Sequence, residues 1–300
     1  MPIDATTRFC AVYGHPIKHS ASPAMQNAGI AALGLNWRYL AFEVRAEDLA
    51  TAIAGARAMK FIGLNLTVPH KLLALKMVDV LDDSAKTWGA VNTIRFEAKS
   101  QNGDWVSLDK IPAEEVSEIR SHGFNTDADA ITQSIREDLQ MEIRGARILL
   151  LGAGGAGRVA ALKFAGDGAK ELFLVNRTKS KAEEIASEIR RRFPSVKVQT
   201  TFPGDKVDLI VNATSLGLKS ADALPMNESD FALGKTEAVY DMIYRPAETP
   251  LLLAAKKAGC RTANGLGMLL HQGAKALEIW TEKHAPVGIM RDALEKNIYG

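Results

Sequence analysis

The stretch "ARILLLGAGGAGRVAALKFAG", residues 146–166, decides the fold. Its apolar run "RILLL" (147–151) leads directly into Gly152, Gly154 and Gly157, which form the pattern G-x-G-x-x-G, and a helix-like segment follows. In strand–turn–helix order this pattern is typical of dinucleotide binding, because the glycines permit a tight turn, a close approach to the pyrophosphate and helix–strand packing. The alternative is a small-residue loop that only packs closely. We predict a Rossmann-type domain whose cofactor contacts are Gly152, Ala153, Gly154, Gly155 and Ala156.

The segment after the next strand bears on the choice of cofactor. NAD-binding domains usually place Asp or Glu about 20 residues after the glycines, where it accepts a hydrogen bond from the ribose 2′-hydroxyl. This sequence instead has "VNRTKSK" (175–181), which contains no acidic residue. The residues at this place that would face the cofactor are Asn176, Arg177, Thr178 and Lys181. A 2′-phosphate would be attracted by such cations. We predict NADP as the cofactor, the alternative being a solvated basic helix start.

Composition sets the broad class of the protein. The chain has 300 residues, of which 47% are hydrophobic, enough for one large or two medium domains. A net charge of +2 gives no support to nucleic-acid or membrane-surface binding. Two cysteines, no signal-like N-terminus and no apolar run near the roughly 20 residues of a membrane helix favour a cytoplasmic protein. Six histidines without clustered Cys, Asp or Glu predict no metal site.

Strand-like and helix-like segments alternate along the chain, which predicts an α/β fold with two domains and mainly parallel sheets. We expect a substrate-binding and catalytic domain over residues 1–126 and an NADP-binding Rossmann domain over 127–267, with helices of 268–300 packing back on the first. Residues 97–122 are polar and poorly periodic. Predicted strands cover 8–14, 37–44, 61–68, 147–151, 171–177, 196–200, 207–214, 238–244 and 259–265, and predicted helices include 23–33, 46–59, 70–81 and 127–141.

Polar side chains gather around the stretch "GLNLTVPHKLLAL" (63–75). Its alternation predicts a strand whose polar face carries Asn65 and Thr67, followed by Lys71. Reduction of a ketone needs a proton donor, and a lysine in a dry cleft, with its pKa drawn toward neutrality, suits that role if a carboxylate such as Asp127 orients it. Ser22 and Asp127 could instead be helix caps, and Lys71 a solvated lysine. The set that would hold a small hydroxylated acid is Ser20, Ser22, Asn65, Thr67 and Asn92.

Nine motifs in order across residues 8 to 280 resemble the shikimate dehydrogenase family: "HSASP", "NLTVPHK", "AVNT", "NTD", "GAGGAG", "NRT", "NATSLG", "YDMIY" and "NGLGMLLHQG". The resemblance implies NADP-dependent interconversion of 3-dehydroshikimate and shikimate, in a cleft between two domains. It makes Lys71 and Asp127 the catalytic pair and adds Gln272 and Tyr244 to the substrate residues. It also places Thr214, Met242 and Gly265 near the cofactor.

The chain departs from the family pattern in three places. Residues 97–122 look like an insertion, Ala128 and Ala130 stand where the family has glycine, and Lys181 replaces the usual arginine. Two alternatives therefore stay open: a quinate/shikimate dehydrogenase with relaxed substrate or cofactor choice, and a non-catalytic ligand-binding paralogue. The expected partner is the small-molecule substrate alone, with no nucleic acid or membrane, and the chain is expected to be a monomer or a homodimer.

Overall fold

The computed structural model describes residues 3–112, 115–219 and 221–300. It divides into two compact units: the first ends at Asp127 and resumes with Leu270–Gly300, and the second is Ala128–Leu269. Each unit has its own β-sheet, so the predicted α/β class is confirmed. Among the described residues, no helix is both long and apolar enough to cross a membrane.

The strands form two separate sheets. The first unit has strands β1 (Arg8–Gly14), β2 (Trp37–Glu43), β3 (Gly63–Leu66), β4 (Val80–Leu81), β5 (Thr93–Lys99), β6 (Trp105–Ser107) and β7 (Ile119–Phe124). The second has β8 (Arg147–Leu151), β9 (Glu171–Val175), β10 (Lys197–Gln199), β11 (Val207–Asn212), β12 (Thr236–Asp241) and β13 (Arg261–Asn264).

The helices lie between the strands and at the end of the chain. They are α1 (Ser22–Ala32), α2 (Leu49–Ala58), α3 (Asp83–Trp88), α4 (Asp127–Leu139), α5 (Gly155–Gly166), α6 (Lys179–Arg192), α7 (Pro250–Lys257), α8 (Leu266–Thr281) and α9 (Val287–Tyr299). The chain leaves the first unit at the start of α4 and returns to it within α8.

The sheet of the first unit is mixed. Its strand order is β2-β1-β3-β5-β7-β4, and β6 pairs with residues 97–99 of β5. β1 is parallel to β2 and β3, whereas β5 is antiparallel to β3, β6 and β7. Alternation along β3 and β5 buries Leu64, Leu66, Ile94 and Phe96 in one hydrophobic core and turns Asn65 to the opposite face. The predicted polar face of this strand thus exists, at the end of β3.

The helix predicted over residues 70–81 is wrong. The chain makes only a short 3-10 turn over Leu73–Lys76, where Leu73 stays 40% exposed, and then enters β4. Asp79 explains the difference, because its carboxylate accepts two hydrogen bonds from Ser121. One comes from the backbone N–H of Ser121 (2.7 Å) and the other from the Ser121 hydroxyl (2.8 Å). These bonds align the segment with β7, and the tertiary pairing overrides the local apolar pattern.

Residues 97–122 are more regular than their sequence indicates. β5 runs on to Lys99, β6 pairs with it, and β7 begins at Ile119, so strands frame the segment. Glu97 holds the two strands together at the start of this segment. Its carboxylate is 1% exposed and accepts hydrogen bonds from Arg95 (3.0 Å), Arg120 (2.7 Å) and His122 (3.0 Å). The predicted polar region therefore contains a buried ion cluster between two antiparallel strands.

Glu97 should make folding sensitive to acid. Burial alone raises the pKa of its carboxyl, but hydrogen bonds from His122, Arg95 and Arg120 lower it from 4.5 to about 2. A folded-state pKa below the unfolded one stabilises the protein above pH 4.5, and this stabilisation is lost as the pH falls toward 2. A shift of that size corresponds to about 3 kcal/mol.

The measurement is urea unfolding at neutral pH and at a pH between 4.5 and 2 for the wild type and Glu97→Gln. The variant should be less stable at neutral pH by about 3 kcal/mol and should lose less stability on acidification. Glu118→Gln, at an exposed ion pair with Lys99, is the matched control and should follow the wild type within about 0.5 kcal/mol. Parallel pH curves for wild type and Glu97→Gln would contradict this role.

The sheet of the second unit is wholly parallel, in the order β10-β9-β8-β11-β12-β13. Counted along the chain from β8, this is the order 3-2-1-4-5-6 of a doubly wound dinucleotide-binding fold. The order reverses between β8 and β11, and in such sheets ligands bind beyond the carboxyl ends of the strands at this point. The glycine-rich stretch follows β8 there.

Candidate functional site

Lys71 and Asp127 form an ion pair in the first unit. Lys71 Nζ lies 2.7 Å from Asp127 Oδ2, and the two side chains are 26% and 7% exposed. The carbonyl of Lys71 accepts from Val91 N–H at 2.8 Å, which fixes the base of the lysine. Asn125 Oδ1 accepts from the Asp127 backbone N–H (3.1 Å) where α4 begins, so the carboxylate of Asp127 is left for the amine rather than for capping.

Asn92 holds the segment that carries Asp127. Its Oδ1 accepts from the Thr126 backbone N–H (2.8 Å), and its Nδ2 donates to Thr126 Oγ1 (2.9 Å). Thr126 Oγ1 in turn donates to the carbonyl of Gln272 in α8 (3.0 Å). Asn92, just before β5, is thus linked through Thr126, just after β7, to α8. Two predicted substrate residues, Asn92 and Gln272, come together at Thr126.

Tyr39 is a site residue that we did not predict. This fully buried side chain donates from its hydroxyl to Asn65 Oδ1 (2.8 Å), and Asn65 Nδ2 donates to Thr93 Oγ1 (3.0 Å). Burial raises the pKa of Tyr39, against a hydrogen bond from the Ser22 hydroxyl. Tyr39 therefore joins β2 to Asn65 and, through Asn65, to Thr93. The only signal in the sequence was its position on the apolar, inward-facing side of the predicted strand.

The two serines differ from the predicted cap arrangement. Helix α1 begins at Ser22 itself, its N-cap is Ala21, and no side chain caps it. Ser22 is buried and is the first residue of the helix, so the interpretation of Ser22 as an N-cap is wrong. Ser20 is half-buried, and its Oγ accepts from the Ser22 backbone N–H at 3.4 Å. Both hydroxyls lie at the start of α1.

Thr67 follows the end of β3 and is half-buried. Its hydroxyl makes no hydrogen bond to any residue in the described part of the chain, whereas its carbonyl accepts from His70 N–H at 2.8 Å. His70 is fully buried and its Nε2 bonds the Val44 carbonyl at 2.9 Å, while burial lowers its pKa. A neutral imidazole thus anchors the short link between Thr67 and Lys71. Thr67 has a hydroxyl that can serve a ligand.

The glycine-rich loop of the second unit shows which glycines the protein itself requires. Gly152 has φ +107, and an added Cβ would lie 2.9 Å from the Ala213 carbonyl oxygen. A Cβ at Gly157 would lie 2.2 Å from the Gly152 oxygen. A Cβ at Gly154 would meet no heavy atom within 4 Å in the described residues. Close packing explains Gly152 and Gly157 but not Gly154, where a bound pyrophosphate supplies the missing reason. The loop fits a dinucleotide.

The predicted 2′-phosphate residues lie at the start of α6. Asn176 Oδ1 accepts from Ala153 N–H (3.0 Å) and its Nδ2 donates to the Thr178 carbonyl (2.8 Å), so it connects the glycine loop to the basic loop. Arg177 and Lys181 are exposed, and within residues 3–112, 115–219 and 221–300 they form no ion pair. The first turn of α6 has no acidic residue. Cations at a helix N-terminus are unfavourable unless an anion compensates them.

Thr214, Met242 and Gly265 follow three neighbouring strands of the second unit. A Cβ at Gly265 would lie 2.1 Å from the Met242 carbonyl oxygen, so these two residues are in direct contact. Met242 N–H donates to the Asn212 carbonyl (3.0 Å), and Thr214 Oγ1 donates to Asn212 Oδ1 (2.7 Å). The structure thus brings the three residues together around Asn212. Tyr244 is half-buried shortly after β12, in the same unit.

A metal centre finds no support in this geometry. The described residues contain no group of three or more His, Cys, Asp or Glu side chains able to hold an ion. Cys10 and Cys260 are both buried free thiols.

Comparison with known proteins agrees with this geometry. The shikimate dehydrogenase substrate binding domain matches residues 12–94, the shikimate / quinate 5-dehydrogenase family matches 133–218, and the shikimate 5′-dehydrogenase C-terminal domain matches 265–295. The shikimate dehydrogenase (NADP(+)) of Methanopyrus kandleri is 38% identical over 304 residues, covering 99% of this chain and 98% of the relative.

Two solved structures are similar over nearly their whole length. Shikimate 5-dehydrogenase from Thermus thermophilus, in complex with NADP(H) and shikimate, has a TM-score of 0.80 and 31% identity and covers 96% of this chain and 99% of that one. The ligand-free 5-ketofructose reductase of Gluconobacter sp. strain CHM43 has a TM-score of 0.79 and 32% identity, with 98% and 100% covered.

The doubly wound second unit and the lysine–carboxylate pair of the first define the class: an NADP-dependent oxidoreductase that acts on a CH–OH group. Within that class, the chain belongs to the shikimate dehydrogenase family.

Proposed function

We propose that this protein catalyses the reversible NADPH-dependent reduction of 3-dehydroshikimate to shikimate. The observation that carries the proposal is the Lys71–Asp127 pair, at 2.7 Å, in a unit whose buried polar network includes the predicted substrate residues. The pair argues against a non-catalytic paralogue, in which one partner would be lost. The first unit serves the substrate and the second serves the cofactor, and we place the enzyme in the cytoplasm.

Lys71 acts as the general acid of the reduction. NADPH, when bound, supplies the hydride, and the developing alkoxide needs a proton, which the ammonium group of Lys71 donates. In the reverse direction the neutral amine accepts the hydroxyl proton. Asp127 keeps the amine in place and balances its charge. Because the Asp127 carboxylate is only 7% exposed, its attraction for the Lys71 ammonium group is little screened by solvent.

The remaining polar residues divide into ligands and supports. The hydroxyls of Ser20 and Thr67 are half-buried, and we assign them, with Ser22, Gln272 and Tyr244, to the carboxylate and hydroxyls of the substrate. Asn65 and Asn92 already donate to Thr93 and Thr126, so their contribution includes holding the site in shape. A polar network of this kind can hold the reacting carbon and the amine in a fixed geometry.

The second unit binds NADP through two loops. Gly152 to Ala156 would hold the pyrophosphate, to which the N–H groups at the start of α5 would donate. Arg177 and Lys181 bind the 2′-phosphate, beside Asn176 and Thr178. Thr214, Met242 and Gly265 border the nicotinamide. Lys181 is a point charge without the planar fork of arginine, so discrimination against NAD rests mainly on Arg177.

Steady-state kinetics tests this function directly. Shikimate, quinate and reduced 5-ketofructose should each be assayed with NADP and with NAD. We expect kcat/KM to be highest for shikimate with NADP. Quinate turnover with NAD exceeding shikimate turnover with NADP, or a preference for the ketofructose pair, would replace the substrate assignment. Absence of turnover with every pair would favour a ligand-binding paralogue.

A further inference from the structure

A fully buried carboxylate lies behind the cofactor residues of the second unit. Asp241, the last residue of β12, is 0% exposed. Its Oδ1 accepts from Asn212 Nδ2 (3.0 Å) and from Ile243 N–H (3.0 Å), and its Oδ2 accepts from Thr249 Oγ1 (2.7 Å). Asn212 and Thr249 are themselves 0% exposed. Burial raises the pKa of Asp241, against these three hydrogen bonds.

Asn212 links Asp241 to the loop that follows β11. It is the last residue of β11, and its Oδ1 accepts from both the backbone N–H (3.0 Å) and the hydroxyl (2.7 Å) of Thr214. Its Nδ2 also donates to the Leu216 carbonyl at 3.1 Å. Each hydrogen-bonding atom of the Asn212 side chain therefore points either at Asp241 or at the loop after β11.

The two loops held in this way carry residues assigned to one end of the cofactor. Thr214 lies in the loop after β11, and Met242 lies between Asp241 and Ile243 in the loop after β12. Gly265 rests against the Met242 carbonyl, where an added Cβ would come within 2.1 Å. The glycine loop and the basic loop, by contrast, are joined by Asn176 and, among the described residues, donate no hydrogen bond to Asp241.

We propose that Asp241 is a positioning residue for the nicotinamide end of the cofactor, which it fixes through Asn212 and the loops that carry Thr214 and Met242. The inference rests on the proposed function, because it assumes that NADP binds here. A carboxylate suits the role, since it only accepts: one oxygen takes a side-chain amide and a backbone N–H, and the other takes a hydroxyl. It acts on the ring that exchanges hydride and not on the adenosine end.

The test compares two ligands on the full-length protein. Asp241→Asn keeps the shape but replaces one acceptor by a donor. We expect the Kd of NADPH to rise about tenfold, which is the effect of about one weakened hydrogen bond. The Kd of adenosine 2′,5′-bisphosphate, which lacks the nicotinamide, should change by less than about twofold because its contacts are elsewhere. Single-turnover hydride transfer should slow and show a larger primary isotope effect with deuterated NADPH.

Two further variants keep the result interpretable. Asp208→Asn makes the same change at the other end of β11, where Asp208 accepts from Arg147 N–H at 2.6 Å, and should leave both ligand affinities unchanged. Thr249→Val removes one donor to Asp241 with little change of volume and should give a smaller effect in the same direction, even if Asp241→Asn does not fold. Equal weakening of both ligands, or unchanged NADPH binding, in a folded Asp241→Asn or Thr249→Val variant would overturn the inference alone. Failure of the wild type to bind either ligand would overturn the proposed function.

Discussion

Lys71→Met should lower kcat for shikimate oxidation by about 10² to 10⁴, which is the usual contribution of a positioned acid or base. Methionine keeps most of the volume of lysine but has no proton to give or accept. The amine of Lys71 is held by the carboxylate of Asp127 at 2.7 Å. The backbone of Lys71 is held by a hydrogen bond from the Val91 N–H to the Lys71 carbonyl. Removing the amine therefore removes the one ammonium group that we assign to the alkoxide.

The matched control is Lys76→Met, the same change five residues along the chain at an exposed position. Its kcat should stay within about twofold of the wild type, because exposed substitutions away from the site usually change little. NADPH affinity should be unchanged in both variants, measured by the quenching of protein fluorescence on titration. A Lys71→Met enzyme with wild-type kcat would remove Lys71 from the chemistry. A parallel loss of NADPH affinity would indicate a folding defect instead.

Arg177→Ala should raise KM for NADP by about 10- to 100-fold, because a hydrogen bond to a charged group contributes about 1.5 to 3 kcal/mol. Arg177 has no acidic partner among residues 3–112, 115–219 and 221–300, so its substitution breaks no ion pair within that part of the chain. KM for NAD should change by less than about twofold, since NAD has no 2′-phosphate to lose. The ratio of the two specificity constants reports the contact with the phosphate alone.

Arg191→Ala is the control for this experiment. It removes an exposed arginine from the last turn of the same helix, far along α6 from the basic loop. It should leave both KM values unchanged. An equal rise in KM for NADP and NAD in Arg177→Ala would show that the guanidinium supports the loop and does not read the phosphate. Unchanged KM for NADP would assign the phosphate to Lys181 or to neither residue.

Local patterns predicted much of the second unit. The apolar run, the glycine spacing and the basic loop lie within 35 residues of sequence, from 147 to 181, and all concern one β–α–β crossover. The structure adds what spacing could not show, namely that Gly152 and Gly157 are required by packing whereas Gly154 is open. The alternation of strands and helices predicts a parallel sheet, and the glycine pattern predicts a doubly wound one, so the fold class was readable from the sequence.

Long-range pairing was not predictable in the same way. The apolar run after Lys71 looks helical, but Asp79 bonds Ser121, which is 42 residues away, and that contact makes a strand of the segment's end. Tyr39 looks like any buried strand residue until its hydroxyl is seen on Asn65. Asp241 and Asn212 lie in motifs that we recognised, yet their bond across two strands has no sequence signature. The roles of individual site residues were predicted from the family resemblance.

A crystal structure of the protein with shikimate and NADP tests the central claim most directly. The measured quantity is the distance from Lys71 Nζ to the hydroxyl oxygen on the carbon that exchanges hydride. The account predicts about 2.6 to 3.2 Å, within reach of direct proton transfer. A well-ordered ternary complex in which another side chain occupies that position and the amine lies beyond hydrogen-bonding reach would contradict it.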